Sequence, residues 1–266
     1  MSNNFSECFG SKRMGFIITG GASGIGLATA HLLHSKGKAI MLWDTNQPTL
    51  EEQSKLLHAP CAVVDVTDSD AVMQAMQTAS EQLGKITGVV HCAGVAHVGM
   101  FEDLTIKQHQ QVIDVNLKGT VHIAHAAIPY LKQTQGSLVL IASSSSFYGP
   151  PDFATYAATK SGVVGLAQAL RLELEDAGVH VGVVAPHFTE TPMLEESKKS
   201  PMFEGANYTS TADDIAVAID QMIRLRKATA IPGVMNKLNY FLATHLPEVG
   251  TTIVRAIWKQ GKRKRK

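Results

Sequence analysis

Residues 15–26 read Gly15-Phe16-Ile17-Ile18-Thr19-Gly20-Gly21-Ala22-Ser23-Gly24-Ile25-Gly26. A short apolar run over 15–19 gives way to glycines spaced Gly20-x-x-x-Gly24-x-Gly26, and a helical pattern then runs from 25 to 36. That order predicts strand, tight turn and helix. Glycines at such a turn let the backbone approach a pyrophosphate at the helix N-terminus, where free N–H groups and the helix dipole favour an anion. The spacing differs from the common GxGxxG fingerprint, so a merely tight turn is the competing reading.

Working outward, short apolar runs alternate with helical patterns along the chain. Strands are expected at 38–43, 62–64, 86–91, 137–142 and 180–185, and helices near 68–83, 105–131 and 154–177. Apolar runs without polar alternation are what strands buried on both faces require. Joined by helices, they predict a Rossmann-type doubly wound parallel sheet in three α/β/α layers. No repeat or linker divides the chain, so residues 1–232 are read as one domain and 233–266 as a helical extension with a basic tail. Ligands of such sheets lie beyond the carboxyl ends of the strands, which directs attention to the loops there.

The composition fits. Of 266 residues, 45% are hydrophobic, 18% charged and 6% aromatic, which excludes disordered, collagen-like and coiled-coil chains. The net charge of +1 hides an asymmetry: residues 259–266 hold six of the 24 basic residues and no acid, leaving a body of 18 basic and 23 acidic residues. Cys8, Cys61 and Cys92 are odd in number and lack metal-ligand spacing, which favours a reducing compartment. With no apolar run near ~18 residues and no signal-peptide core, a cytoplasmic protein is expected.

Asp44 ends the second strand, 24 residues beyond Gly20. An acid about 20 residues after the glycine turn suits a hydrogen bond to an adenosine ribose. A carboxylate there would repel a 2′-phosphate, and the neighbouring Ser23 and Thr45 offer no compensating charge, so NAD is favoured over NADP. Asp65-Val66 and Cys92-Ala93-Gly94 follow the third and fourth strands on the same edge.

Beyond the fifth strand, Ser143-Ser144-Ser145-Ser146-Phe147-Tyr148 leads to Tyr156-Ala157-Ala158-Thr159-Lys160. Tyr156 and Lys160 are four apart at a helix start and share a face. A phenol titrates near 10, too high for a base at neutral pH, and a nearby ammonium favours the phenolate. Lowering that value by about three units takes roughly 4 kcal/mol, within reach of a lysine and a nicotinamide cation in a partly dry site. Ser143 could hydrogen-bond the same substrate oxygen. Alone, a YxxxK pair is usually an exposed helix pair, and a serine run a polar loop.

Taken together, the turn at 19–26, Asp44, Asp65, Ala93-Gly94, Asn116 in Asp114-Val115-Asn116, Ser143 and Tyr156-x-x-x-Lys160 resemble the short-chain dehydrogenase/reductase family with TGxxxGxG and YxxxK motifs. The resemblance extends to about residue 232. It implies an oxidoreductase interconverting a secondary alcohol and a ketone with NAD. Tyr156 would be the acid/base and Ser143 would orient the substrate oxygen, with Ser144 and Ser145 as fallbacks. Lys160 would hold the nicotinamide ribose and lower the tyrosine's pKa, and Asn116 would position a water relayed to it. Gly20, Ser23, Gly24, Ile25, Gly26, Asp44, Asp65, Val66, Ala93, Gly94, Pro186, Thr189 and Thr191 would join Tyr156 and Lys160 in holding the dinucleotide. A homodimer or homotetramer through helices 105–131 and 154–177 is implied as well. The rival reading is a catalytically idle dinucleotide-binding or scaffolding protein.

Two positions depart from the family pattern. His91-Cys92-Ala93-Gly94 replaces Asn-Asn-Ala-Gly, with loss of side-chain bonds that brace the sheet expected. Pro186-His187 replaces Pro-Gly, which sets His187 near the substrate or leaves it a tolerated loop change. Val95, His97, Phe147, Tyr148 and Phe153 are the other expected substrate neighbours, with the segment 189–210 as a mobile lid. Their apolar and aromatic character favours a hydrophobic substrate. The pairs His31/His34 and His122/His125 lack a third ligand, so no metal is expected. Residues 235–258 carry apolar positions ahead of the basic cluster. They read either as a helical cover for the active site or a neighbouring subunit, or as a peripheral membrane contact. Six charges at one end do not make a groove-sized patch, so nucleic acid is not an expected partner.

Overall fold

The computed structural model describes residues 14–206 and 209–264. Cys8 and the tail residues Arg265 and Lys266 lie outside the described residues. The first half runs β1 (Met14–Thr19), α1 (Gly24–Ser35), β2 (Ala39–Asp44), α2 (Gln47–Leu57), β3 (Cys61–Val63), α3 (Ser69–Leu83) and β4 (Lys85–His91). Then come α4 (Ile106–Ile113), a π turn (Asp114–Lys118), α5 (Gly119–Thr134), β5 (Ser137–Ile141), a 3₁₀ turn (Ser144–Ser146), α6 (Ala154–Glu173) and β6 (His180–Val184). The remainder is β7 (Thr189–Glu190), α7 (Met193–Ser197), α8 (Pro201–Ala206), β8 (Ser210–Thr211), α9 (Ala212–Leu225), β9 (Thr229–Ala230), α10 (Val234–His245) and α11 (Pro247–Lys264).

Seven strands form one parallel sheet in the order β3-β2-β1-β4-β5-β6-β9, and β7 pairs with β8 beside it. Strand order reverses at β1/β4, the switch point where a doubly wound sheet opens a crevice. Alternate residues of each strand serve opposite layers. Ile17, Met41 and Trp43 pack with Val72, Met76 and Ile123 of α3 and α5. Phe16, Ile18, Ile40 and Leu42 pack with Leu33, Leu50, Ile215 and Ile219 of α1, α2 and α9. Each such fully buried aliphatic contributes about 1.5–3 kcal/mol, and the covering of both faces explains why the strands read as unbroken apolar runs.

The helix expected over 105–131 runs from Ile106 to Thr134 as α4, the π turn around Asn116 and α5 in continuous helical backbone. The segment 189–210 holds β7, α7 and α8 and reaches β8. Helices α2 and α9 lie where no element was expected. Helix α2 buries only Leu50 and Leu57 along a polar stretch, so its periodicity is faint, whereas α9 opens on a Thr211–Asp214 capping box and buries Ile215, Ile219 and Met222. Among the described residues no helix is long and apolar enough to cross a membrane.

Candidate active site

A cleft of about 1190 Å³ opens along the carboxyl edge of the sheet, lined by the ends of β1 to β6 and by the segment 186–202. Its floor at one end is the glycine turn. Gly20 and Gly24 adopt φ +64° and +54°, which side-chain-bearing residues rarely do, and a Cβ on Gly26 would fall 2.1 Å from the Gly20 carbonyl oxygen. Ser23 stands at the N-cap of α1 without a side-chain capping bond, so the first turn of the helix faces the cleft. Such a turn can take an anion.

Asp44 follows on the same wall. Its carboxylate accepts from the Ala22 amide at 3.1 Å and the Asn46 amide at 3.0 Å, which fixes the side chain beside the glycine turn. Asp65 accepts from the Thr67 amide at 2.9 Å and the Thr67 hydroxyl at 2.8 Å. Val66, Ala93, Gly94, Pro186, Thr189 and Thr191 line the cleft too, so every residue expected at a dinucleotide borders one continuous space.

The reactive groups meet at the other end. Ser143 leaves β5 and Tyr156 and Lys160 sit one turn apart on α6. Lys160 is buried, donates to the Ile141 carbonyl at 2.8 Å, and holds its ammonium 5.8 Å from the Tyr156 ring centroid. Burial pushes the Tyr156 phenol up to about 12, with the Ser143 hydroxyl working against the rise. Burial also brings Lys160 down to about 8, opposed by Cys92, whose own thiol burial raises to about 12.

Asn116 stands one layer behind. The π turn presents its amide to Val95, donating to the carbonyl at 2.9 Å and accepting from the N–H at 2.8 Å, so the side chain holds the cleft wall. A Cβ on Gly94 would meet the Asn116 oxygen at 3.2 Å and the Lys160 ammonium at 3.5 Å, so glycine there lets the three pack.

Among the expected substrate neighbours, Val95, Tyr148, Phe153 and His187 line the cleft. His97 and Phe147 do not: His97 bonds Gln111, itself a lining residue, at 2.8 Å, and Phe147 packs edge-on against Tyr240. Ser144 bonds His187 Nδ1 at 2.9 Å, and burial lowers that imidazole to about 4, keeping it neutral. The sequence reading did not place Phe188 at this end of the cleft, whereas Met202 lies in the expected segment 189–210. The cluster of Val98, Phe153 and Met202 also gathers Tyr156, Phe188, Val254, Ile257 and Trp258, so α11 packs behind the residues that line this end. The signal was present in the helical spacing of Val254, Ile257, Trp258 and Gly261.

Comparisons with known proteins show the family and the fold. The short chain dehydrogenase family matches residues 15–201. An uncharacterized oxidoreductase of Staphylococcus epidermidis is 36% identical over 182 residues, spanning 67% of this chain and 79% of that protein. The 3-oxoacyl-(acyl-carrier-protein) reductase FabG of Thermotoga maritima is 34% identical over 186 residues, spanning 68% of this chain and 76% of the reductase. Among solved structures, a 3-ketoacyl-(acyl-carrier-protein) reductase from Brucella melitensis in complex with NADH shares the fold, with TM-score 0.75 and 24% identity over 82% of this chain and 95% of that one. The chain therefore belongs to the short-chain dehydrogenase family of oxidoreductases.

Proposed function

We propose that this chain interconverts a secondary alcohol and a ketone on an apolar substrate, using NAD(H). The observation that carries the reading is the meeting of Ser143, Tyr156 and Lys160 in the same cleft as the glycine turn and Asp44. The residues fit the dinucleotide: Gly20, Ser23, Gly24, Ile25 and Gly26 would take its pyrophosphate, Asp44 a ribose, Asp65 and Val66 the adenine end, and Ala93, Gly94, Pro186, Thr189 and Thr191 the nicotinamide. When bound, it supplies or accepts the hydride.

Tyr156 Oη gives its proton to the substrate oxygen in reduction. Burial pushes the phenol up to about 12, the reverse of the lowering expected from Lys160, so it carries that proton throughout the neutral range. Ser143 orients the same oxygen, and the Lys160 ammonium offsets negative charge as it builds on the phenol. Asn116 keeps the Val95 wall and, through it, the approach to Lys160. Asp44 supports NAD over NADP, since the cationic side chains that line the cleft, Lys107 and Lys160, belong to neither of the turns at its adenosine end. Tyr148, Phe153, Phe188, Met193, Leu194 and Met202 support an apolar substrate. The exposed Ile106, Ile113, Val121 and Leu172 on α4, α5 and α6 support a homodimer or homotetramer through those helices.

The test is a panel of apolar ketones and secondary alcohols with NAD(H) and NADP(H), read by nicotinamide absorbance. Tyr156→Phe is expected to lower kcat by at least ~10²-fold while dinucleotide binding persists. Tight dinucleotide binding with no turnover across the panel would instead make the chain a binding or scaffolding protein.

A further inference from the structure

Helices α10 and α11 form a hairpin held against the body by their inner faces. Asn236 is buried and donates to the Ala185 carbonyl at 2.9 Å and the Pro232 carbonyl at 3.1 Å. Tyr240 packs on Phe147, and a Cβ on Gly261 or Gly205 would strike the backbone of Pro201 or Ile257. The hairpin is thus a fixed surface with an inner side committed to the enzyme.

Its outer side is apolar. Val234, Leu238 and Phe241 recur at i, i+4 and i+7, one face of α10. With Met235, and with Leu246 and Val249 at the hairpin turn, they are 45–82% exposed. Phe241 stacks on His245 at 4.6 Å, which extends the same face. On α11, Arg255, Lys259 and Lys262 form an exposed i, i+4, i+7 stripe with Lys262 over the Trp258 ring, followed by Arg263 and by Lys264, which donates to the Glu204 carbonyl at 2.9 Å. From 249 to 266 the chain carries seven Lys/Arg and no Asp/Glu, against a body of net negative charge.

We infer that the outer face of the α10–α11 hairpin docks on an anionic lipid surface. The apolar side chains would enter the headgroup boundary while the basic stripe meets lipid phosphates and carboxylates. A two-fold pairing of this face would cover its apolar side chains but bring no acidic residue from 249–266 to the basic stripe. A nucleic acid would satisfy the lysines and arginines but leave Val234, Leu238 and Phe241 in water. The inference stands apart from the catalytic reading.

Flotation of the full chain with phosphatidylcholine vesicles, with and without phosphatidylserine, tests it. Binding is expected with the anionic vesicles, weakening as salt rises. The exposed substitutions Leu238→Glu with Phe241→Glu, and separately Arg255→Gln with Lys259→Gln and Arg263→Gln, should each lower the bound fraction more than about tenfold. Both variants should keep the parent's thermal transition. Absence of the parent from both kinds of vesicle would overturn the inference, as would binding untouched by either variant. Conversion of an oligomer to monomer by the Leu238/Phe241 pair, without vesicle binding, would assign the face to a second copy.

Discussion

Thr19 Oγ1 lies 2.7 Å from His91 Nδ1 and 3.1 Å from the Ala93 amide nitrogen, tying β1 to the end of β4. The Ala93 amide donates to the hydroxyl oxygen, and the same hydroxyl shares a hydrogen bond with His91 Nδ1. The brace expected to be lost with the family's asparagine is supplied here by histidine.

Burial and the nearby Lys160 hold His91 down to about 3, so it is neutral in the folded protein. His91→Ala should cost about 1–3 kcal/mol at pH 7, read by urea denaturation, because Thr19 loses a buried partner. Between pH 6.5 and 3 the unfolded chain binds a proton that folded His91 refuses, so parent stability falls with acid. His91→Ala lacks that loss, and its deficit should shrink from pH 7 to pH 4. A constant gap would argue against a neutral histidine.

Lys160 gives a signature at the other end of the scale. Its folded value of about 8 lies below the ordinary 10.5. Between pH 8 and 10.5 the unfolded chain holds a proton that the folded one has released, so stability rises with pH in that window, by up to about 3 kcal/mol. Lys160→Met should lack the rise. Tyr156 and Cys92, both raised to about 12, give opposite slopes above pH 9–10 that the two proteins share. Denaturation midpoints taken every half unit of pH separate the contributions.

The proposed preference for NAD rests on Asp44. The Ala22 and Asn46 amides fix its carboxylate beside the glycine turn, and under the proposed binding mode a 2′-phosphate would bring like charge there. Asp44→Ser should raise the KM for NAD by about tenfold and improve kcat/KM for NADP by a similar factor, as one hydrogen bond and one repulsion are removed. Unchanged preference would place the discriminating group elsewhere.

These outcomes rest on features that differ in how far the sequence announced them. The strands of the central sheet were legible because burial on both faces leaves unbroken apolar runs, as in Phe16–Ile18 and Leu138–Leu140. Glycine spacing and the Tyr156/Lys160 interval were legible because each depends on local geometry. The π turn was not: within it Asn116 reaches Val95, a contact 21 residues away that no periodicity records. Side-chain partners are equally silent in the sequence: Phe147 packs on Tyr240 and His97 bonds Gln111 of the cleft wall. A helical cover for the active site is one of two sequence readings of 235–258, and the close approach of Gly261 to Pro201 that seats α11 is a backbone contact the pattern does not record.

That approach can be tested directly. A Cβ on Gly261 would fall 1.8 Å from the Pro201 carbonyl oxygen, and backbone cannot yield as a flexible side chain would. Gly261→Ala should therefore lift the end of α11 from α8 and cost about 1–3 kcal/mol. Trp258 and Met202 share a cluster with Tyr156, so the damage should reach the substrate end while the glycine turn, some distance along the cleft, is spared. The expected pattern is a raised KM for apolar ketones, an unchanged Kd for the dinucleotide, and faster proteolytic cleavage within 247–264. A change in dinucleotide affinity with substrate KM intact would reverse the assignment of α11 to the substrate end.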